Sequence, residues 1–460
     1  MTGPQDRMAT FSIENFGCRA TAADAAALRS ELAACGHLPA SGHDSAGVVV
    51  LNTCTVTAEA DAQAREAVRK IHRANPAARI VVTGCYAQRA PEELAALEGV
   101  TWVVGNSHQG EISRLIGALP TAALDSSNAP GNFISLETLA KAKAPVRPPA
   151  PILAGDIFSQ AAVQIAPAAF MAADRTRPIL KIQDGCDHRC SFCVIPQVRG
   201  ASRSLPPDAV VEGVRRLAES GAREIVLSGI NLGGYGRDLA SRATLAGVVR
   251  RILDETEIER LRLSSIEPQD ITEDFVALMA GSPRLAPHFH VPLQSGSDSI
   301  LRAMRRWYRT EHYAERIHII RRRLPEAAIG ADVIAGFPGE TPEDFRATLG
   351  LIERLPLTYL HVFSFSPRPG TPATSLGEAL PRSTVLSRAR ALRSLGREKT
   401  TAFRTSLVGR VLRALTLRRQ GPSWTEALTG NYLRVRIAGL HPANQWREIR
   451  LGSGAQSEED

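Results

Sequence analysis

Cys186, Cys190 and Cys193 stand in the run KIQDGCDHRCSFCVIP. The spacing C-x3-C-x2-C offers three thiolates from one short loop, tight enough to wrap one corner of a cubane. Iron–sulfur clusters usually take four cysteines. Three leave one iron without a protein ligand, and an open iron can bind and activate a small molecule. Structural zinc instead favours two C-x2–4-C pairs that close a tetrahedron. No fourth cysteine follows here, and His188 sits inside the loop among its neighbours. The spacing therefore predicts an iron–sulfur cluster rather than zinc.

A second set is spread through the first part of the chain. Cys18, Cys54 and Cys85 each follow a predicted strand, in FSIENFGC, VVVLNTC and RIVVTGC. In an open parallel sheet the carboxyl ends of neighbouring strands border one crevice. Three thiols far apart in sequence are thus expected to converge and to hold a second cluster with an open iron. Plain packing, common for free cysteine, accounts for one such residue more easily than for three at one topological point. Cys35 differs: it lies late in the helical stretch ELAAC, follows no strand and is expected in the core.

The elements that must position these residues can be read from periodicity. Residues 8–120 alternate short apolar runs, such as GVVVLN and RIVVTG, with amphipathic stretches such as AEADAQAREAVRKIHRAN. That is the pattern of a doubly wound parallel sheet in the α/β class. Residues 121–176 are rich in Ala and Pro and break the rhythm; they are expected to be a linker or insertion, with a short helix near 156–172. From 177 to 400 six strand–helix units follow, with strands near PILKIQ, EIVLSG, RLRLSS, HFHVPL, IGADVIAG and YLHVFSF. Six parallel units suggest a partial (β/α)6 barrel with its ligand at the carboxyl ends of the strands, and the cysteine loop follows the first of them. After a helix at 381–403, residues 401–453 carry four short strand-like pieces, expected to form a small antiparallel barrel or sandwich.

A chain of 460 residues exceeds what one core usually supports, so several domains are expected. It contains no apolar run of the roughly 18 residues that spans a bilayer, and MTGPQDRMATFSIENF lacks the apolar centre of a signal peptide. A cytosolic protein is expected, and cysteines there serve as ligands or reagents more often than as disulfides. The net charge is +8, and residues 401–450 hold nine Arg against Glu426 and Glu448. A basic patch on a small β-domain suits a polyanion such as an oligonucleotide.

The cysteine loop resembles that of the radical S-adenosylmethionine (SAM) enzymes. Together with the three-cysteine α/β domain and the basic β-domain, the chain looks like the methylthiotransferases over nearly its whole length. The linker at 121–176 is longer than that family leads one to expect. NTCTVTAEAD (52–61), KIQDGCDHRCSFCVIPQVRGASRS (181–204), SGINLGGYG (228–236) and NYLRV (431–435) are most similar to the branch that acts on N6-threonylcarbamoyladenosine beside the tRNA anticodon. Branches acting on isopentenyladenosine in tRNA or on a ribosomal protein are the alternatives, and a non-catalytic RNA-binding metalloprotein is the rival of another class.

The resemblance implies two 4Fe-4S clusters and SAM, with the last domain TRAM-like and tRNA-binding. It implies that Cys186, Cys190 and Cys193 hold the cluster that cleaves SAM to a 5′-deoxyadenosyl radical, and that Cys18, Cys54 and Cys85 hold the cluster carrying the sulfur. It places Ser228, Gly229, Asn231, Glu267, Gln294, Ser295 and Gly336, at later strand ends, around SAM. Phe192 is expected either to shield the cluster or simply to pack within its loop, and Asp332 to serve the pocket or to be a satisfied buried carboxylate. A low-potential electron donor, such as a flavodoxin or ferredoxin, is implied as a partner; no membrane is. Arg302, Arg305, Arg306 and Arg309, and Arg321 to Arg323, are candidate tRNA guides or else solvated helix faces, while His288 and His290 are expected to be packed rather than ligating.

Overall fold

The computed structural model describes residues 8–118, 148–159 and 176–452. Six strands open the chain: β1 (Thr10–Asn15), β2 (Leu38–Pro39), β3 (Val48–Thr53), β4 (Arg79–Gly84), β5 (Val100–Gly105) and β6 (Ile152–Leu153). All pair in parallel, in the order β2-β1-β3-β4-β5-β6. VVVLNT is buried along its whole length because both faces of β3 are covered. Val49 and Leu51 pack with Val68 and Ile71 of the helix Ala58–Ala74, while Val48 and Val50 meet Leu28 and Leu32 of the helix Arg19–Ala34. The sheet is thus doubly wound, and the strand order reverses between β1 and β3, where such folds bind their ligands.

Two of these strands were not expected. β2 and β6 have two residues each, too few for any periodicity to show. β6 also falls in the stretch read as linker or insertion, so part of that stretch is built into the sheet. Of the helix expected near 156–172, the turn Ile157–Ser159 is 3-10; residues 160–172 lie outside the described residues.

The central strands are β7 (Ile179–Asp184), β8 (Arg203–Ser204), β9 (Glu224–Gly229), β10 (Arg260–Leu263), β11 (His288–His290), β12 (Ala328–Ala335) and β13 (Tyr359–Ser364). β7, β9 and β10 run parallel, as do β11, β12 and β13. The parallel bridge Ser265↔His290 joins the two sets. The result is the six-strand open barrel expected from the sequence. One edge is capped by the short antiparallel β8, and the long helix Arg382–Ser406 packs beside β13 at the other. Helix starts follow local chemistry: Thr57 and Thr341 accept hydrogen bonds from the backbone N–H three residues on, and Thr341 forms a full capping box with Asp344.

The last strands, β14 (Val411–Gln420), β15 (Trp424–Thr429), β16 (Arg434–Ala438) and β17 (Trp446–Arg450), form one antiparallel sheet in the order β16-β15-β14-β17. This is half of the barrel or sandwich expected. Among the described residues no helix is long and apolar enough to cross a membrane.

Buried ion pairs join these parts. Asp24 of the helix Arg19–Ala34 meets Lys181 of β7 and accepts from Arg199 Nη2 at 2.7 Å. Glu224 of β9 accepts from Arg262 Nε at 2.7 Å and is paired with Arg177 and Arg260. Arg262 then donates to the carbonyls of Thr429 and Gly430 in the last domain, at 3.1 and 3.0 Å. Burial alone would raise the Glu224 carboxyl, but the three guanidinium groups hold it down at about 2. Glu224→Gln leaves those charges buried without their counter-ion, a change that costs about 3–5 kcal/mol. Because the folded carboxyl titrates below its unfolded value, its contribution is complete above about pH 4.3 and is lost as pH falls towards 2. Urea midpoints of wild type and variant should therefore differ at pH 7 and converge in acid; a gap independent of pH would refute this assignment.

Candidate active site

The three N-terminal cysteines lie at the carboxyl ends of β1, β3 and β4. Cys54 follows β3 directly and Cys85 opens the short helix Cys85–Arg89. Gly17 packs so closely on Cys54 that an added Cβ would fall 2.5 Å from that residue's own Cβ. Burial pushes the Cys54 thiol up to about 12, and Cys85 and Cys18 push in the same direction. Cys85, raised likewise by burial, also feels Cys18. The trio expected to converge is therefore brought together. Cys35 is not in the core; it is exposed at the end of its helix.

The loop after β7 folds back on itself. Cys186 donates its N–H to the Gly200 carbonyl at 3.1 Å, and Cys193 donates to the Cys190 carbonyl at 3.1 Å. Burial pushes Cys193 up to about 12 and Cys186 to about 11, with Cys190 acting on both. A buried thiol of this kind loses its proton when a metal takes its place.

The spacing of the sulfurs distinguishes the two metal chemistries. A zinc ion with Zn–S bonds of about 2.3 Å holds tetrahedral sulfurs roughly 3.8 Å apart. Among the described residues, the one three-ligand group whose donor atoms all lie within 4.8 Å of one another is His290, Asp332 and His361. Neither cysteine trio forms so tight a group; a cluster of several irons takes ligands farther apart than one ion does. In the His–Asp–His group, Asp332 is bonded by His290 Nε2 at 2.9 Å and His361 Nδ1 at 3.3 Å. It is satisfied by these two bonds, is half-buried rather than buried, and also lines the cavity described next. His290 and His288 both meet the Tyr359 hydroxyl, at 3.0 and 2.8 Å, so they are packed within a polar network.

One cysteine of each trio lines a cavity of about 550 Å³, a size suited to a small-molecule ligand. Cys18 lines it from the first domain and Cys193 from the barrel loop. Ser228, Gly229 and Gln294 line it as well, and Gln294 adopts φ 65, a left-handed conformation that non-glycine residues avoid unless the surroundings enforce it. Phe192 lines the cavity and packs on a cluster that includes Ile300 and Phe337.

Four other expected SAM contacts are not among the residues that line this cavity. The Ser295 hydroxyl is turned to Thr348 Oγ1 at 3.3 Å. Gly336 donates its N–H to Glu340 and faces Val385. Asn231 donates its N–H to Gln183 Oε1 at 2.8 Å. Glu267 is ion-paired with Arg306 beside the cysteine loop.

Arg306 itself is a correction. Expected with its neighbours as a tRNA guide, it instead has a buried side chain that donates from Nη1 to Cys190 Sγ at 3.2 Å. Arg321 is likewise occupied, donating to the carbonyls of Ala327 and Pro356 at 3.0 and 2.9 Å. Asn106 was missed; its Nδ2 approaches Cys85 Sγ at 3.5 Å and donates to the Val198 carbonyl at 2.8 Å. It follows β5 as the cysteines follow their strands, so the same signal marks it. The basic patch of the last domain is partly neutralised, since Arg410, Arg413 and Arg434 pair with Glu326, Glu259 and Glu426.

Comparison with known proteins gives two family matches: the Radical SAM superfamily over residues 180–352 and the Uncharacterized protein family UPF0004 over residues 10–105. The threonylcarbamoyladenosine tRNA methylthiotransferase MtaB of Aquifex aeolicus is 35% identical over 93% of this chain and 96% of its own. The protein of the same name from Bacillus subtilis is 32% identical, over 94% and 91%. A tRNA-2-methylthio-N(6)-dimethylallyladenosine synthase of Syntrophobacter fumaroxidans is 33% identical, over 89% and 85%. Among solved structures, the radical S-adenosylmethionine methyltransferase TsrM of Kitasatospora setae superposes with a TM-score of 0.54 at 17% identity, covering 80% of this chain and 77% of that one. At that identity it shows a shared fold.

Proposed function

The chain belongs to the radical SAM tRNA methylthiotransferases, and from that membership we propose its reaction: a methylthio group is added at C2 of N6-threonylcarbamoyladenosine beside the tRNA anticodon. One observation carries this reading. Two cysteine trios, each one thiol short of four, contribute Cys18 and Cys193 to the wall of a single cavity. A radical generated at one side and a sulfur delivered from the other need such a shared space.

Cys186, Cys190 and Cys193 would hold one 4Fe-4S cluster, and Cys18, Cys54 and Cys85 the other. When bound, the first supplies the electron that cleaves SAM and the second the sulfur that is inserted. The protein's own part is placement and exclusion of water. Arg306 aims a charged N–H at the Cys190 sulfur, and Asn106 aims an amide at Cys85. Such contacts to ligand atoms orient them and tune the metal's potential. Phe192, Val194 and Ile195 give the cavity wall its apolar stretch beside Cys193. Ser228, Gly229 and Gln294 are the contacts we assign to SAM.

Residues 401–453 serve as the tRNA-binding domain, where Arg436 stacks over Trp424 at 4.3 Å and Arg413 over Trp446 at 4.1 Å. The enzyme works in the cytoplasm, with a donor of the flavodoxin or ferredoxin class supplying the electrons.

Tests belong in a strain without this gene. Mass spectrometry of digested tRNA should show complete loss of 2-methylthio-N6-threonylcarbamoyladenosine. Normal levels of that nucleoside, with loss of the isopentenyl counterpart instead, would move the protein to the other tRNA branch.

A further inference from the structure

Two residues that line the cavity carry a full formal charge, Arg19 and Asp332. Asp332 is bonded on both sides by His290 and His361. Arg19 has no such counterpart. Its guanidinium donates from Nη2 to the Tyr432 hydroxyl at 3.1 Å, and among the described residues it meets no carboxylate. A guanidinium has five N–H donors in a planar fork shaped for a carboxylate or phosphate. One donor is used here, and the rest of the fork stands at the edge of a cavity beside the first cysteine trio.

Its surroundings hold it in place. Tyr432 comes from the turn between β15 and β16, adopts φ 66 and stacks on His288 at 4.3 Å between ring centres. Burial would push the Tyr432 phenol up, but Arg19, Arg177 and Arg262 together draw it below its ordinary range. Arg177 and Arg262 are both bound to Glu224, which leaves Arg19 as the cation with capacity for a ligand.

We infer that Arg19 is the residue that binds the carboxylate of the substrate's N6-threonyl group, with Tyr432 as its positioning residue. The inference rests on the reaction proposed above and deepens it by naming what selects the substrate. An isopentenyl group is neutral and leaves the guanidinium unpaired in the cavity; a threonylcarbamoyl group brings the missing anion. An adenosine whose C2 is presented beside Cys18 has its N6 substituent within reach of the side chain of the next residue. A tRNA phosphate is the other source of an anionic oxygen, and the experiment separates the two.

The reconstituted full-length enzyme is assayed on two anticodon stem-loop RNAs. One carries N6-threonylcarbamoyladenosine and the other its carboxamide analogue, equal in shape and without the charge. Activity of wild type on the first RNA is the check on the proposed reaction. Given that activity, the carboxamide should raise KM by about tenfold or more, the worth of one charge-assisted bidentate contact. Arg19→Gln should raise KM for the carboxylate RNA by a similar factor, with the loss confined to that RNA and iron content unchanged. Arg19→Lys should recover part of it, and Tyr432→Phe should show a smaller loss with the same selectivity. An equal loss on both RNAs points to a phosphate contact and overturns the inference, as does no loss at all.

Discussion

Cys190→Ala abolishes formation of 5′-deoxyadenosine and lowers reconstituted iron from about eight to about four per chain, the content of one cubane instead of two. Cys54→Ala also lowers iron to about four, but 5′-deoxyadenosine still forms and the methylthio product is lost. The asymmetry follows from the geometry. Cys190 is buried and tied to Arg306 in the barrel loop, whereas Cys54 is held in the first domain at the end of β3. Each trio has no spare thiol, so removing one ligand removes a cluster. The two trios share a cavity but no ligand, so the other cluster survives. Abolition of SAM cleavage by Cys54→Ala with intact binding of four irons would mean that the roles of the two trios are not separable. Persistent cleavage in Cys190→Ala would remove the barrel loop from the chemistry.

Gly185→Ala has the second-largest effect. Gly185 adopts φ +72, and an added Cβ would fall 1.9 Å from the Ala201 carbonyl oxygen. An L-residue pays about 1–2 kcal/mol for the left-handed backbone alone, and the overlap forces the 185–201 crossing apart, for a total of roughly 3–5 kcal/mol. Cys186 is the next residue and hydrogen-bonds across that crossing to Gly200. The variant should therefore melt earlier and lose both SAM cleavage and half of the iron. Gly221→Ala is the control: φ there is +94, but nothing lies within 4 Å of an added Cβ. It should cost about 1–2 kcal/mol and leave iron content unchanged. Equal behaviour of the two variants would show that backbone conformation, and not the chain crossing, sets the loop.

Several elements were readable because their signal is local and periodic. VVVLNT reads as a buried strand from six residues, and each cysteine is marked by its place after such a run. The six barrel strands and the four short strands of the last domain declare themselves in the same way. β2 and β6 do not, because a two-residue edge strand is created by its neighbour's open hydrogen-bonding edge and has no pattern of its own. Arg306 and Arg321 were read with the arginines around them as one basic face. Whether a given arginine turns inward depends on what has been folded against it, here Cys190 and Glu267 for one and three backbone carbonyls for the other.

The residue types and their spacing by themselves determined the chemistry of this protein: two sets of three thiols, each short of a fourth. That much is local, since a ligand set is a property of composition and of the strand ends that carry it. The tertiary structure alone decided that Cys18 and Cys193 line one cavity, that Asp332 there is bonded by His290 and His361, and that Arg19 meets no carboxylate. Strand order, the docking of the first domain through Asp24, and the reach of Tyr432 from the last domain set those facts. The Asp24 and Tyr432 contacts join segments more than a hundred residues apart, where no periodicity in the chain can report on the pairing.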